Sequence, residues 1–424
     1  MKLGVLTNLL GSVSLEEALK YFSSLGLEMV EIGCGGYPGK DHADPDILLN
    51  DEKALEEFKA LLKKYNVEIS ALSCHGNPVH PNKEIAKSFD DDLRKAVLLA
   101  EKLGVHQINT FSGCPGDCET AKYPNWVTCP WPNDFGEILE WQWNEVLIPY
   151  WKEFVKFSTA HGVDKIALEL HPGFCVYNTE SLLKLRNAVG KEIGANLDLS
   201  HLIWQGMEPV AVIRALGDAI FHFHAKDTKI DKINTSVNGV LDTKSYADEI
   251  NRSWIFRSVG YGNDELYWKD VMSNLRMVGY DYAISIEHED SLMSQNEGLE
   301  KAVDEFVDVL AEEGRLCIIT FHSLEDRLAK RTLKLYSSSC RCEKNQMICN
   351  SIKRKSIFLK RNLYINNIET KIKIIWLKND QMINDYLVKT KELDCYTCYF
   401  INKQIGFDSF EFQTNYDLVI TNLT

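Results

Sequence analysis

Four short apolar runs in this sequence each close on a side chain that can ligate a cation. Lys165–Pro172, KIALELHP, ends its apolar stretch at Glu169; Ala195–Asp198 ends at Asp198, Ile220–His224 at His224 and Tyr282–Glu287 at Glu287. Alternation along an extended chain puts Ala167 and Glu169 on one face, with the charged residue last. One acidic residue at a strand end is ordinarily a cap or loop anchor, but four ligating groups at corresponding positions form a pattern. Three carboxylates and one imidazole make a hard, mostly oxygen set suited to a divalent ion. They meet only if their strands converge.

Convergence of that kind is what a closed parallel barrel provides, because the C-terminal ends of its strands share one mouth. The first 310 residues alternate β-rich runs with helical patterns, the mark of parallel strands joined by crossover helices. Strands are predicted at Lys2–Leu6, Met29–Ile32, Glu68–Ser73, Gln107–Thr110, Lys165–Leu170, Ala195–Leu199, Ile220–Ala225 and Ala283–Glu287. Helical patterns fill the intervals: Ser14–Leu25, opened by a Ser14/Glu17 capping box, then Asp51–Tyr65, Lys83–Leu103, Ile138–His161, Thr179–Val189, Glu208–Leu216, Leu266–Val278 and Glu297–Leu310. The expected fold is α/β, a (β/α)₈ TIM barrel over residues 1–310 with a small C-terminal α/β extension.

The net charge of -14 hides a break in the chain. Met1–Leu310 carries 29 Lys and Arg against 48 Asp and Glu, net -19, whereas Ala311–Thr424 carries 18 against 13, net +5. An acidic body does not grip a phosphate backbone through bulk charge, so no nucleic-acid partner is expected for it. No apolar run reaches membrane-spanning length, and the 12 Cys are too scattered for a disulfide framework. A reducing cytoplasm without membrane association is the expectation.

Two predicted loops are long. Phe111–Phe135, rich in Gly, Pro, Cys and aromatics, follows the fourth strand and reads as a lid over a small ligand. Lys226–Asn263 follows the seventh and offers Lys226, Asp227, Lys229, Arg252 and Arg257; Lys226 and Arg257 are candidate contacts for an anionic or hydroxylated substrate. His75 ends the third strand as a candidate pocket residue, while His171 reads equally as ligand, substrate contact or loop residue. His222 shares a face with His224 but lies deeper, as packing or support. Glu31 is a substrate contact, a support residue or a buried paired carboxylate. Cys114 and Cys118 lack zinc-finger partners and read as loop thiols. Trp141, Trp143 and Trp151 read as packing, and Gly260 and Gly262 as shaping residues without a phosphate-binding fingerprint.

Taken together, ALELHP, NLDLSH, HFHAKD and SIEHED resemble the sugar phosphate isomerase/epimerase family of the xylose isomerase-like barrel superfamily over about residues 1–305. The FSGCPGD and YPNW...CPWPNDF segments resemble one of its subfamilies. The resemblance implies one Mn, Mg, Co or Zn ion held by Glu169, Asp198, His224 and Glu287, with His201 touching substrate hydroxyls. Such a cation, bound to a sugar carbonyl and its neighbouring hydroxyl, stabilises an enediolate. Glu169 and Glu287 then serve as catalytic acid and base, one removing a proton and the other returning it. Return to the other face gives an epimer, and return to the adjacent carbon an isomer; a hydride shift is a second route to isomerisation. The expected partner is a sugar or sugar phosphate. A homo-oligomer is compatible with the tryptophans, which pack a helix against the barrel or a subunit neighbour.

After Leu310 the text changes. Glu313–Lys330, EGRLCIITFHSLEDRLAK, resembles the methyltransferases that modify N4 of a small-subunit rRNA cytosine, with Cys340–Asn350 resembling a cysteine-bearing segment of some members. The expected divisions are 311–365, a methyltransferase-like fragment, and 366–424, unassigned. No Gly-rich S-adenosylmethionine turn accompanies the fragment, so methyltransferase activity is not expected. Cys340, Cys342 and Cys349 with Cys395 and Cys398 are the other candidate zinc set. Two rival functions follow: a multi-zinc phosphodiesterase on the same barrel, and a non-catalytic RNA- or protein-binding fusion.

Overall fold

The computed structural model describes residues 1–309 and two strand segments, Ile401–Asn402 and Thr421–Asn422, which pair in parallel. The chain divides into two units, Met1–Val309 and Leu310–Thr424. The FHSLEDR string and the cysteines from Cys340 to Cys398 lie outside the described residues.

In Met1–Val309 the strands are β1 (Lys2–Leu6), β2 (Met29–Gly33), β3 (Glu68–Ser73), β4 (Gln107–Thr110), β5 (Lys165–Glu169), β6 (Ile193–Asp198), β7 (Ile220–Ala225), β8 (Asp227–Ile230), β9 (Trp254–Arg257) and β10 (Ala283–Ile286). Eight of them close a barrel in the order β1-β10-β7-β6-β5-β4-β3-β2, every neighbouring pair parallel. Outward positions such as Val30, Ile32, Leu72, Ile108, Ile166, Leu168, Leu197 and Phe223 are buried in one core with Leu19, Phe22, Leu93, Phe154, Leu182 and Trp268 of the surrounding helices. Each such side chain, removed from water, contributes about 2 kcal/mol. Many inward positions of the same strands are polar: Glu31, Asn109, Glu169, Asn196, Asp198, His222, His224 and Ser285 are all buried, alongside the inward Ala167 and Ala283. That departs from the usual apolar barrel interior. No helix among the described residues is long and apolar enough to cross a membrane.

Two segments depart from expectation. The helix predicted over Ile138–His161 is broken into Asn133–Trp141, a π-helical turn at Gln142–Leu147, and Ile148–Ala160. Pro149 has no N–H to donate, so the preceding turn widens. The widened turn aims Gln142 at the loop after β4, where its Nε2 donates to the carbonyls of Pro115 (3.3 Å), Gly116 (3.0 Å) and Asn125 (2.7 Å). The segment Lys226–Asn263 is not a plain loop either: β8 and β9 form an antiparallel hairpin pairing Asp227 with Arg257 and Ile230 with Trp254. Between them a helix, Lys232–Asn238, is capped by Asp231.

Candidate metal centre at the barrel mouth

The four metal-competent residues of the sequence pattern arrive together at the C-terminal rim. Glu169 ends β5, Asp198 ends β6, His224 is one residue from the end of β7, and Glu287 follows β10 directly. Ligand atoms of Glu169, His224 and Glu287 lie within 4.8 Å of one another. His224 Nδ1 is 2.8 Å from Glu287 Oε2 and 3.6 Å from Glu169 Oε2. Asp198, on the next strand, stands outside that group of three: its Oδ2 lies 3.2 Å from His201 Nε2 and 3.5 Å from Lys226 Nζ. Its Oδ1 accepts the Ser200 N–H at 2.8 Å and so caps the short helix Leu199–Ile203.

Chemical fit to a cation can be judged from what these groups lack. Asp198 Oδ2, Glu287 Oε2, His75 Nε2 and His201 Nε2 are buried and find no hydrogen-bond partner among the described residues; their close approaches lack hydrogen-bond alignment. Buried polar atoms left unpaired cost about 1–3 kcal/mol each, and four of them gathered at one rim are what a ligand site would leave. The two carboxylate oxygens, of Asp198 and Glu287, with Glu169 and His224 close by, make a donor set that suits a divalent cation.

Electrostatics point the same way. Burial pushes the Glu287 carboxyl up, but Lys226 and His224 outweigh it and hold it at about 2. Burial likewise opposes ionisation of Glu169, and the imidazoles of His201 and His75 beside it hold it well below the usual range. Asp198, pushed up by burial and by the charges of Glu287 and Glu169 against the pull of Lys226, reaches about 7. Burial works to lower His224, yet the carboxylates of Glu31 and Glu287 on either side of its ring raise it well above the ordinary value. Burial lowers His201 to about 3, leaving a neutral imidazole. His171 is lowered too, mainly by burial.

The substrate candidates divide. His75 Nε2 stands 3.0 Å from Glu169 Oε2, and His201 Nε2 3.2 Å from Glu169 Oε1. His171 lies against His201, ring centroids 4.0 Å apart, with Nδ1 2.6 Å from the Pro172 carbonyl. Lys226 is 2% exposed and pairs with Glu289 at 2.5 Å and Glu287 at 3.3 Å. Arg257 turns its Nε to Asp290 at 2.9 Å. Glu31 is fully buried beneath His224, which leaves the paired-carboxylate reading and removes the substrate-contact one. His222 is buried as well, bonded to Asn196 and Ser70. Cys114 and Cys118 are free thiols, one buried and one exposed. Trp143 and Trp151 are core, Trp151 donating to the Ser112 carbonyl at 3.0 Å.

Sequence reading missed the aromatic walls. Phe111 stacks on Phe174 at 4.2 Å between centroids and meets the edges of His75 and His171. Phe256, on the hairpin, has Lys226 Nζ over its ring at 4.4 Å and lies edge-on to His201. Phe111 directly follows β4 at the position corresponding to the other mouth residues, a signal available in the sequence; Phe256 gave none, because its strand was not recognised. Gly260 and Gly262 are explained by Asp227, whose Oδ2 accepts the N–H groups of Gly260 (3.2 Å), Gly262 (3.0 Å) and Asn263 (2.9 Å). A Cβ added at Gly262 would crowd that carboxylate.

An eight-stranded parallel barrel with a largely polar interior and a cluster of metal-competent side chains at its C-terminal rim defines the class. The chain belongs to the xylose isomerase-like TIM barrel family, whose sequence profile matches residues 19–312. It is 41% identical over 314 residues to the uncharacterized protein YfiH of Bacillus subtilis, covering 74% of this chain and 100% of that one. Among solved structures the fold is shared with the IOLI protein with a binding zinc atom (TM-score 0.52, 19% identity, 74% of this chain and 99% of that one). A D-tagatose 3-epimerase-like protein is similar too (TM-score 0.50, 23% identity, 73% and 98%). A second profile, that of the MraW methylase family, matches residues 283–370. Over 59 residues the chain is 39% identical to the ribosomal RNA small subunit methyltransferase H of Desulfosudis oleivorans, 14% of this chain and 19% of that protein. The chain thus spans about a fifth of that methyltransferase.

Proposed function

We infer that the barrel is a divalent-metal-dependent isomerase or epimerase acting on a sugar or sugar phosphate. The observation that carries the reading is the convergence of Glu169, His224 and Glu287 within 4.8 Å, with the unpaired Asp198 Oδ2 beside them. These four residues would hold the ion, which when bound supplies Lewis-acid polarisation of a carbonyl and its neighbouring hydroxyl. Glu169 and Glu287, both held ionised, stand at the ends of β5 and β10, three places apart around the barrel. One removes the proton next to the carbonyl and the other returns it. Neutral His201 and His75 offer ring nitrogens to substrate hydroxyls, His171 borders them, and Phe111, Phe174 and Phe256 exclude water from the reacting carbon. Lys226 supplies the positive charge that keeps Glu287 a carboxylate.

The test is incubation of protein and Mn²⁺ with a panel of ketoses, aldoses and their phosphates in deuterated water, following carbon-bound deuterium by NMR. Exchange and interconversion of at least one substrate are expected. A panel without either, product analysis included to catch a hydride shift, would count against the reading.

A second reading is favoured by the imidazoles around the outer side of Glu169, of which His171 and His201 form a further metal-competent group with it. Additional zinc ions there would suit a phosphodiesterase. Against it, Lys226 Nζ and Arg257 Nε are each already paired with a carboxylate, and the barrel body is acidic. Elemental analysis separates the two, one ion per chain supporting the isomerase and three zincs the phosphodiesterase. The tail's methyltransferase resemblance adds the reading of a non-catalytic RNA- or protein-binding fusion.

A further inference from the structure

Beneath the proposed ion site lies a second group, Glu31, His222 and His224, whose ligand atoms also fall within 4.8 Å of one another. It is closed to a cation, because every member is already engaged. Glu31 Oε2 accepts from His224 Nε2 at 2.7 Å and from Ser285 Oγ at 3.0 Å; Oε1 accepts from Asn109 Nδ2 at 2.8 Å and from Ser73 Oγ. His222 spends Nδ1 on Asn196 Oδ1 (3.0 Å) and Nε2 on Ser70 Oγ (3.1 Å). Strands β2, β3, β4, β7 and β10 all contribute to the shell around this carboxylate. The β2 ladder shifts register between Val30 and Glu31, where the buried carboxylate is delivered to the interior.

We propose that Glu31 is a positioning residue that selects Nδ1 of His224 as the nitrogen presented to the metal ion. This rests on the reading that His224 is a ligand. An ionised carboxylate accepts and never donates, so the 2.7 Å contact requires a ring proton on Nε2. Nδ1 lies on the opposite edge, 2.8 Å from Glu287 Oε2 and 3.6 Å from Glu169 Oε2, and a cation entering between those carboxylates takes that nitrogen in place of its proton while Nε2 keeps its own. Asn196 Nδ2 also lies 3.1 Å from Nε2, but an amide can turn either end to the ring, whereas the carboxylate permits one tautomer. Glu31 has no accessible surface and reaches the site through its bond to His224.

Full-length protein carrying ¹⁵N-labelled histidine, titrated with Zn²⁺ as the diamagnetic probe, tests this. In the Zn²⁺-loaded wild type an imidazole N–H on Nε2 of His224, assigned by its absence in His224→Asn, is expected. Glu31→Gln should lose that signal and bind Zn²⁺ about 10- to 100-fold more weakly by calorimetry. Glu31→Asp, which keeps an acceptor, should restore much of both. If Glu31→Gln does not fold, the wild-type spectrum decides: a proton on Nδ1, or none on Nε2, overturns the proposal. Zn²⁺ binding that His224→Asn abolishes but Glu31→Gln leaves within twofold overturns the role of Glu31 alone. A wild type that binds no Zn²⁺ overturns the metal reading and this one with it.

Discussion

Asp198 Oδ2 and Glu287 Oε2 lie in the protein interior without an aligned hydrogen bond, the first beside Lys226 and His201 and the second beside His224. If Glu169 and Glu287 are the proposed acid–base pair, Glu169→Gln and Glu287→Gln, which preserve shape, should each lower any isomerase or epimerase turnover about 10²- to 10⁴-fold with circular dichroism unchanged. Asp227, which opens β8 next to Lys226, plays a different part: it is saturated with donors from the Gly260–Asn263 loop. Asp227→Ala strands those donors and should cost about 3 kcal/mol in chemical denaturation. Loss of activity there without loss of stability would contradict the anchoring role. The metal-competent residues were legible in the sequence because each ends an apolar run; the anchoring of Asp227 was not, since its partners lie on a loop far along the chain.

Elements hold the mouth to shape through a few constrained places. Gly36, in the loop after β2, has φ +63°, and a Cβ there would overlap the His75 carbonyl. Gly36→Ala should destabilise the fold by about 2 kcal/mol or more and, by displacing His75 from Glu169, weaken metal binding as well. Calorimetry of the metal-free and Mn²⁺-loaded variant checks both. Tyr150, donating to Asp90 at 2.8 Å, and Tyr280 have phenol pKa values raised well above the usual value, first by burial and then by neighbouring acidic or phenolic groups. A raised folded value means the unfolded chain loses its proton first. Their stabilisation is complete below the unfolded value of about 10 and is lost as pH rises through the folded one, so urea midpoints should fall above about pH 10. Replacing Tyr150 and Tyr280 with Phe should flatten that fall. The eight barrel strands were legible from their spacing, whereas the β8–β9 hairpin was not, because its strands are short and separated by a capped helix. The π-helical turn was likewise hidden, although Pro149 marked its cause.

At the scale of the molecule, the barrel unit ends at Val309, and the Bacillus subtilis relative is matched over its whole length by 74% of this chain. Truncation after Leu310 should therefore leave metal binding and any isomerase activity within about twofold, a span far below the effect of removing a ligand. Loss of the folded barrel on truncation would show residues 311–424 to be part of its stability. The acidic charge of the barrel and the basic charge of the tail were both legible from composition, but composition could not reveal that many inward barrel positions are polar and outward ones apolar, since both are buried. The most direct measurement is anomalous scattering from a crystal soaked in Mn²⁺. One peak bounded by Glu169, Asp198, His224 and Glu287 is the predicted result; no peak at the mouth, or a peak that leaves these four residues uncoordinated, would contradict it.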